Sequence, residues 1–311
     1  MLQGSRLLLN DNQNRRDCLI YIQALLTFAI GSVDKANAVA MSETTMKSCQ
    51  SGTLMPEQAI TGAYEQECMK LPIREIPYSM NGQQTAGTLK IRQGLAGAGT
   101  TGLAVWNSSV LLSRLLQELA RYSNGWSSLK VLELGCGTGL ASLTAAALGA
   151  NRVLATDGNP AVVSLAEENI KENGLSERVH AQLLPWSFMN ALDFADEMDL
   201  VIGSDLTYQS QNWPALAETM ATIVKPRTGL VLYLTLGHAG FAVQAEMQGF
   251  LSVAQQYGLV PVTDSSSIGW PTADLTRLVY EKCIGSDEIP IVQSTGGVRV
   301  LLLQRKPGAW R

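Results

Sequence analysis

The sequence predicts an α/β fold on a largely parallel sheet, preceded by an antiparallel hairpin. Three observations predict it. From 130 to 263, short apolar runs alternate with stretches of helical periodicity, the pattern of strands and crossover helices. Between the first run and the first helix lies Gly135-Cys-Gly-Thr-Gly139, a glycine-rich turn. The run Leu200-Val-Ile-Gly-Ser204 is apolar throughout its core, as in a strand buried on both faces.

Taken in order, residues 1–70 form an extension unlike the rest. Arg15-Arg16 precede an apolar run, Cys18 to Val33, and Ala36-Asn-Ala-Val-Ala40 follows. Charge, apolar run and A-x-A outline a cleaved targeting peptide, with a hint of twin-arginine export. Leu19, Ile22, Leu26, Ala29 and Ile30 equally share one face of an amphipathic helix packed on the body. The run falls short of the ~20 residues a membrane span needs, and Gln23 interrupts it. Residues 41–70 are mixed and polar, expected as a linker or lead-in. The folded domain is expected from 71 to 311. Ile73 to Tyr78 and Thr88 to Ile91 make the hairpin around Asn81-Gly82, a strong turn signal. Gly94 to Gly102 is glycine-rich. Val110, Leu111, Leu115 and Leu119 are in helical phase, and Ser123-Asn-Gly125 ends that helix.

The core is then read as strand 130–134, helix 140–149, strand 152–156, helix 160–173, strand 178–184, strand 199–204, helix 213–224, strand 229–236, helix 241–257 and strand 259–263. Pro160 opens its helix and Asn173-Gly174 closes it. Beyond Gly269 the pattern blurs until Val298-Arg-Val-Leu-Leu-Leu-Gln304, a last strand paired with the one before it.

Bulk properties bound the function. The chain has 311 residues, 46% hydrophobic, with net charge −4. Its pI is about 5.3 and its mean hydropathy +0.08. No Lys/Arg cluster stands out, which argues against a nucleic-acid partner. Cys18, Cys49, Cys68, Cys136 and Cys283 are odd in number and scattered without a C-x-x-C pair. Neither zinc nor a disulfide is expected, and a reduced compartment is the default. His180 and His238 fit no metal-ligand spacing and read as ordinary polar residues.

The glycine spacing selects the ligand. Val131-Leu-Glu-Leu-Gly-Cys-Gly-Thr-Gly-Leu140, followed by Thr156-Asp157, is a nucleotide-type βαβ unit. Its pattern is G-x-G-x-G after an acid, not the G-x-G-x-x-G of pyrophosphate sites. It resembles motif I of the S-adenosylmethionine (SAM)-dependent methyltransferases. The methionine carboxylate of SAM suits a helix N-terminus, and its ammonium suits loop carbonyls and an acid, for which Glu133 is the candidate. Gly135, Cys136 and Gly137 would form the loop against that zwitterion. Asp157 would accept from both ribose hydroxyls.

A second segment, Gly203-Ser-Asp-Leu-Thr-Tyr208, follows the buried strand. Asp205 and Tyr208 therefore sit at the carboxyl end of the sheet, where open α/β sheets place their sites. An acid there can orient an amine for in-line methyl transfer, and a tyrosine can limit access. Alternatively, Asp205 caps the loop and Tyr208 packs. Trp106 and Trp186 could wall a SAM pocket, or belong to the core.

These residues together are similar to methyltransferase family 16, the seven-strand protein lysine methyltransferases with a distal Asp-x-x-Tyr motif. The resemblance covers Leu89 to Gln304. It rests on Thr101-Gly-Leu-Ala-Val-Trp106, Val131 to Gly139, Thr156-Asp157 and Leu200 to Tyr208, with Trp186 after the third core strand. It implies a Rossmann-like seven-stranded sheet and SAM contacts at Trp106, Gly135–Gly137, Asp157, Trp186 and Ser204. It further implies a substrate-lysine role for Asp205 and Tyr208 and a protein substrate. The family includes enzymes for chaperones, elongation factors and calmodulin, and a branch acting on histidine. The first 70 residues and the long segment 269–297 depart from its compact members, so the target is not inherited. A monomer is expected, working in the cytoplasm, with organelle import through residues 1–40 the other destination. The competing readings are a SAM enzyme for a small molecule or nucleobase and a non-catalytic SAM-binding module. The chain lacks an Asn-Pro-Pro-Tyr-like motif, and its two intact motifs argue against decay.

Overall fold

The computed structural model describes residues 42–56, 58–60, 63–80, 86–97, 100–122, 126–237, 243–264, 269–306 and 308. The candidate targeting segment, Cys18, His238, the Asn81-Gly82 turn and the Ser123–Gly125 helix stop lie outside the described residues.

Strands β5 (Lys130–Leu134), β6 (Arg152–Asp157), β7 (Val179–Leu183), β8 (Leu200–Ser204) and β9 (Leu230–Leu236) are parallel. With β10 (Leu259–Pro261) and β11 (Val298–Arg305) they form one seven-stranded sheet, ordered β10-β11-β9-β8-β5-β6-β7. The last strand, β11, runs antiparallel between β9 and β10. It pairs with the strand before it, as expected, and also with β9.

Alternation along each strand splits the core in two. Leu200, Ile202, Leu230, Leu232 and Leu234 face one layer, and Val201, Val231 and Tyr233 face the other. The first layer holds α2 (Asn107–Ala120) and α3 (Leu140–Ala147); the second holds α6 (Trp213–Ile223) and α7 (Val243–Gln256). Helix α3 is buried almost all round, which its alanine-rich composition allows.

The chain runs outward from β5 through β6 to β7, then returns to β8 and continues to β9. The order reverses between β5 and β8, so the crevice outside their carboxyl ends is the ligand position of an open α/β sheet.

The hairpin of β3 (Ile73–Tyr78) and β4 (Gly87–Arg92) is present, in register Ile73↔Arg92 to Tyr78↔Gly87. Helix α4 (Pro160–Glu172) closes the outer edge of β4 with side-chain amides. Asn169 Oδ1 accepts from Arg92 N at 2.7 Å and Asn169 Nδ2 donates to Arg92 O at 3.1 Å. Asn173 repeats the pair on Lys90, at 2.9 and 2.8 Å. Four residues of helix and two of strand both advance about 6 Å, so the two asparagines meet alternate strand residues.

Two sequence expectations are corrected. Residues 42–70 are not a linker: Ser42–Arg311 form one compact unit, so the boundary set at 70 moves to 41/42. The segment carries α1 (Glu43–Gln50) and the short strands β1 (Gln58–Ile60) and β2 (Ala63–Glu65). Nor is the chain without a disulfide. Cys49 and Cys68, both fully buried, are bonded, with Cα atoms 5.3 Å apart. Cys136 and Cys283 are buried thiols. Among the described residues, no helix is long and apolar enough to cross a membrane.

The late segment 269–297, where the sequence pattern blurred, folds as α8 (Leu275–Leu278), a wider helical turn at Val279–Cys283, and α9 (Ile289–Ser294). It is tied down by Arg114, whose guanidinium meets both oxygens of Glu288 at 2.7 and 2.9 Å and also donates to Gly52 O and Cys283 O.

Candidate active site

The glycine loop is built by backbone bonds to the next strand. Cys136 N donates to Thr156 O at 2.8 Å, and Thr156 Oγ1 donates to Glu133 O at 2.7 Å. Gly135, Gly137 and Gly139 all take positive φ, at 59°, 54° and 84°. Two of them also need the missing side chain. A Cβ on Gly135 would lie 2.4 Å from Leu206 Cδ2, and one on Gly137 would lie 3.2 Å from Gly102 O. The loop is thus in contact with the Asp205–Tyr208 segment on one side and the Thr101–Trp106 segment on the other.

Asp157, at the end of β6, closes the loop. Its Oδ2 accepts from Gly137 N at 3.2 Å and its Oδ1 from Asn159 N at 3.0 Å. Burial raises its pKa above the usual carboxylate value against the lowering effect of these N–H groups. The backbone N–H groups of Asn159, Gly137 and Gly158 all favour its ionised, acceptor-only form. Leu184 N donates to Asp157 O at 2.8 Å, which brings the Pro185-Trp186 turn to the same rim. Trp186 is half-buried there, against the second core layer. Trp106, also half-buried, is oriented by its indole N–H donating to Thr101 O at 2.9 Å. Ser204 ends β8, one position beyond the Leu134↔Gly203 pair, level with Gly135. The structure therefore gathers Trp106, Gly135, Gly137, Asp157, Trp186 and Ser204 around the carboxyl ends of β5, β6 and β8.

Two proposed cofactor contacts are corrected. Glu133 does not face this rim: it is 1% exposed, and its Oε2 accepts from Ser142 N at 2.8 Å and Ser142 Oγ at 2.5 Å. Its carboxyl ties the end of β5 to the first turn of α3. Burial pushes its pKa up to about 8, and the Ser142 hydrogen bonds only partly oppose this. The Cys136 side chain is buried as well, and burial, then the charges of Glu133 and Asp157, keep it a thiol. Its backbone N–H is already used by Thr156, so Cys136 shapes the loop without offering a donor there.

Asp205 occupies the left-handed region, φ 51°, a conformation unfavourable to most side chains and tolerated best by Asn and Asp. It is held from several directions. Asp205 N donates to Leu234 O at 3.0 Å. Its Oδ1 accepts from Thr235 Oγ1 at 2.7 Å and Leu236 N at 2.9 Å. Leu206 then fills the space that Gly135 and Gly203 leave open. Among the described residues, Asp205 Oδ2 has no hydrogen bond. Tyr208 is 57% exposed at the surface of the same loop.

The sequence missed the groups that hold this loop. Tyr233, fully buried on β9, accepts through its hydroxyl from Leu206 N at 2.8 Å and Thr207 N at 3.1 Å. Burial, then the charge of Asp205, keep that phenol far above its usual pKa, so it stays protonated. Trp213 Nε1 donates to Thr207 O at 2.8 Å. The available signal was Leu230-Val-Leu-Tyr-Leu-Thr-Leu236: its two polar residues are two apart and share the face opposite the leucines.

Comparison with known proteins agrees with this geometry. Residues 83–240, just over half of the chain, match methyltransferase family 16, described as lysine methyltransferases. The chain belongs to this family. It is 33% identical over 196 residues to protein-lysine N-methyltransferase EFM3 of Chaetomium thermophilum, covering 55% of this chain and 57% of that protein. It is 34% identical over 131 residues to protein N-lysine methyltransferase METTL21A of Danio rerio, covering 41% and 58%. To the calmodulin-lysine N-methyltransferase of Arabidopsis thaliana it is 34% identical over 102 residues, covering 32% and 34%. The chain thus spans between a third and three-fifths of the length of these relatives.

Membership makes S-adenosylmethionine the cofactor, and the residues present fit it. Asp157 offers paired acceptors for a ribose diol. Two half-buried indoles, Trp106 and Trp186, offer apolar walls. The loop at the N-terminus of α3 offers a close backbone approach for the methionine end.

Proposed function

We propose that this protein is a SAM-dependent protein-lysine N-methyltransferase, with Asp205 orienting the substrate amine. One observation carries the reading. Asp205 sits beside the glycine loop with one carboxylate oxygen fixed by Thr235 and Leu236 and, among the described residues, the other without a hydrogen bond. A carboxylate anchored through one oxygen can present the other to an incoming N–H, which supports this reading.

The bound cofactor supplies an electrophilic methyl group on a sulfonium. Asp157 would hold its ribose, and Trp106 and Trp186 its apolar parts. A lysine side chain reaches the site as an ammonium and must lose a proton to solvent before its lone pair can attack. Asp205 Oδ2 would then accept from an N–H of the neutral amine and orient its lone pair toward the methyl group. When bound, SAM would supply the methyl group and leave as the neutral thioether, so that the amine becomes a methylated ammonium. Tyr208 flanks the entrance and limits approach to a narrow side chain. The names of the relatives favour a protein acceptor, and so does the net charge of −4, which is poorly suited to phosphate backbones. We further infer a monomer in a SAM-containing compartment; the Cys49–Cys68 bond removes the cysteine argument for a reducing one.

The deciding experiment is label transfer from methyl-labelled SAM into a matched cell extract, with protease and nuclease digestion of the products. Wild type is expected to give a protease-sensitive band with the label on lysine. Asp205→Ala should lose the band and still bind SAM, and Asp157→Ala should lose SAM binding itself. Label in nucleic acid or small molecules only, or full turnover by Asp205→Ala, would overturn the assignment.

A further inference from the structure

We propose that Glu246 on α7 is a positioning residue for methyl transfer, holding the Asp205–Tyr208 loop through Thr207 and Tyr233. This rests on the reading of Asp205 given above.

The direction of every hydrogen bond in the chain is forced. The Tyr233 hydroxyl accepts two backbone N–H groups, from Leu206 and Thr207, which takes both of its lone pairs. Its own proton must therefore go to Thr207 Oγ1, 2.8 Å away. The Thr207 hydroxyl, now accepting, sends its proton on to Glu246 Oε1. The chain ends at a group that can only accept when ionised. Each donor polarises the next, so an acceptor oxygen at the end of the chain strengthens the grip of Tyr233 on the loop amides.

Helix α7 is shaped for this role along one face. Glu246, Gly249 and Phe250 are spaced i, i+3, i+4, so they point the same way. Phe250 meets Tyr233 with ring centroids 5.7 Å apart, and Trp213 edge-on at 6.3 Å. A Cβ on Gly249 would lie 2.7 Å from Trp213 Cζ3, so the missing side chain lets the indole seat. That indole in turn donates to Thr207 O. Thr207 is thereby held at its carbonyl, its N–H and its hydroxyl, and all three bonds trace to residues packed on or bonded to α7. Glu246 touches no reacting atom; it acts on the loop that carries Asp205.

The test compares wild type, Glu246→Ala and Glu246→Gln, each saturated with S-adenosylhomocysteine. Amide hydrogen exchange is followed at Leu206 and Thr207, with Val201 and Leu232 as sheet references. Glu246→Ala should speed exchange at the two loop amides about tenfold and leave the references unchanged. Label transfer to protein should fall by a similar factor, with S-adenosylhomocysteine affinity within about twofold of wild type. Glu246→Gln keeps an acceptor oxygen and should stay close to wild type in both readouts. Unchanged loop exchange in Glu246→Ala overturns the proposal. So does a Gln variant as impaired as the Ala variant, because the charge and not the acceptor would then matter. Acceleration spread equally over the reference amides also overturns it, by showing a general loss of stability. If wild type itself transfers no label to protein, the assigned reaction fails, and the exchange data still decide the role of Glu246.

Discussion

At the scale of single residues, the two motifs are coupled by one leucine. Leu206 lies in the space left by Gly135 and Gly203, so the glycine loop and the Asp205–Tyr208 loop share a contact. Gly135→Ala should cost about 2–4 kcal/mol, from positive φ plus a clash with Leu206. Adding Leu206→Ala relieves the clash but not the φ cost. The double variant should therefore be more stable than the sum of the singles by about 1–2 kcal/mol, measured by urea denaturation. Strict additivity would mean the contact is absent in solution. Glu133 gives a pH signature. Its folded pKa of about 8 lies above the ordinary 4.5, so its favourable contribution is complete below 4.5 and is lost as pH rises through 8. Glu133→Gln removes this loss. Its melting temperature should rise relative to wild type between about pH 5 and about pH 9. A constant difference would show a carboxylate ionised throughout. The sequence marked Glu133 as a ligand contact because motif spacing locates a residue along a strand but not which face it takes.

At the scale of elements, the sheet was legible because buried parallel strands are apolar on both faces and their connecting helices have clear periodicity. β5, β6, β8 and β9 fall within a residue or two of their expected limits for that reason. The positions of Asp157 and Asp205 were legible because one ends such a strand and the other directly follows one. The loop clamp around Tyr233 was not, because it joins residues 26 or more positions apart that no local pattern relates. The docking of the hairpin was hidden in the same way. Asn169 and Asn173 read as polar residues of an amphipathic helix, yet they complete the edge of β4. Asn169 is fully buried and also donates to Thr138 O at 2.9 Å, which ties the hairpin to the glycine loop. Asn169→Ala should leave three backbone groups unsatisfied and cost about 3 kcal/mol. Asn173→Ala, at a more exposed site, should cost about 1 kcal/mol or less. Thermal denaturation of the two variants checks the order; equal losses would mean that the hairpin does not depend on its buried anchor.

At the scale of the whole molecule, residues 42–70 buttress the cofactor rim, and the Cys49–Cys68 bond staples them. Cysteine count and spacing gave no sign of it, since a pair 19 residues apart is brought together only by the fold. From the staple, hydrogen bonds lead to Trp106. Gln93 Nε2 donates to Cys68 O at 2.8 Å, and Gln93 Oε1 accepts from Val105 N at 2.8 Å. Gln66 Nε2 donates to Val105 O at 3.1 Å, and Asn107 Nδ2 donates to Met55 O at 2.7 Å. Buried Arg74 donates to Cys49 O and Val105 O, both at 3.4 Å; burial, then the charge of Arg114, lower its pKa to about 10. Trp106 thus sits between two residues whose backbone or side chain is held by the stapled segment. Closing a loop of this length is worth about 3 kcal/mol, chiefly by restricting the unfolded chain. Cys49→Ser/Cys68→Ser should therefore lower the melting temperature by about 6–12 °C and leave the sheet intact by circular dichroism. The same variant should bind SAM several-fold more weakly in calorimetry, because the Trp106 wall loses its backing while Asp157 and the glycine loop are untouched. Because both sulfurs are buried, a dithiol should reach the bond in the native protein only through local opening, slowly, and then reproduce both effects. An unchanged melting temperature in the double serine variant would show that packing alone holds residues 42–70. A lowered melting temperature with unchanged SAM affinity would confine the staple to stability and separate it from the site.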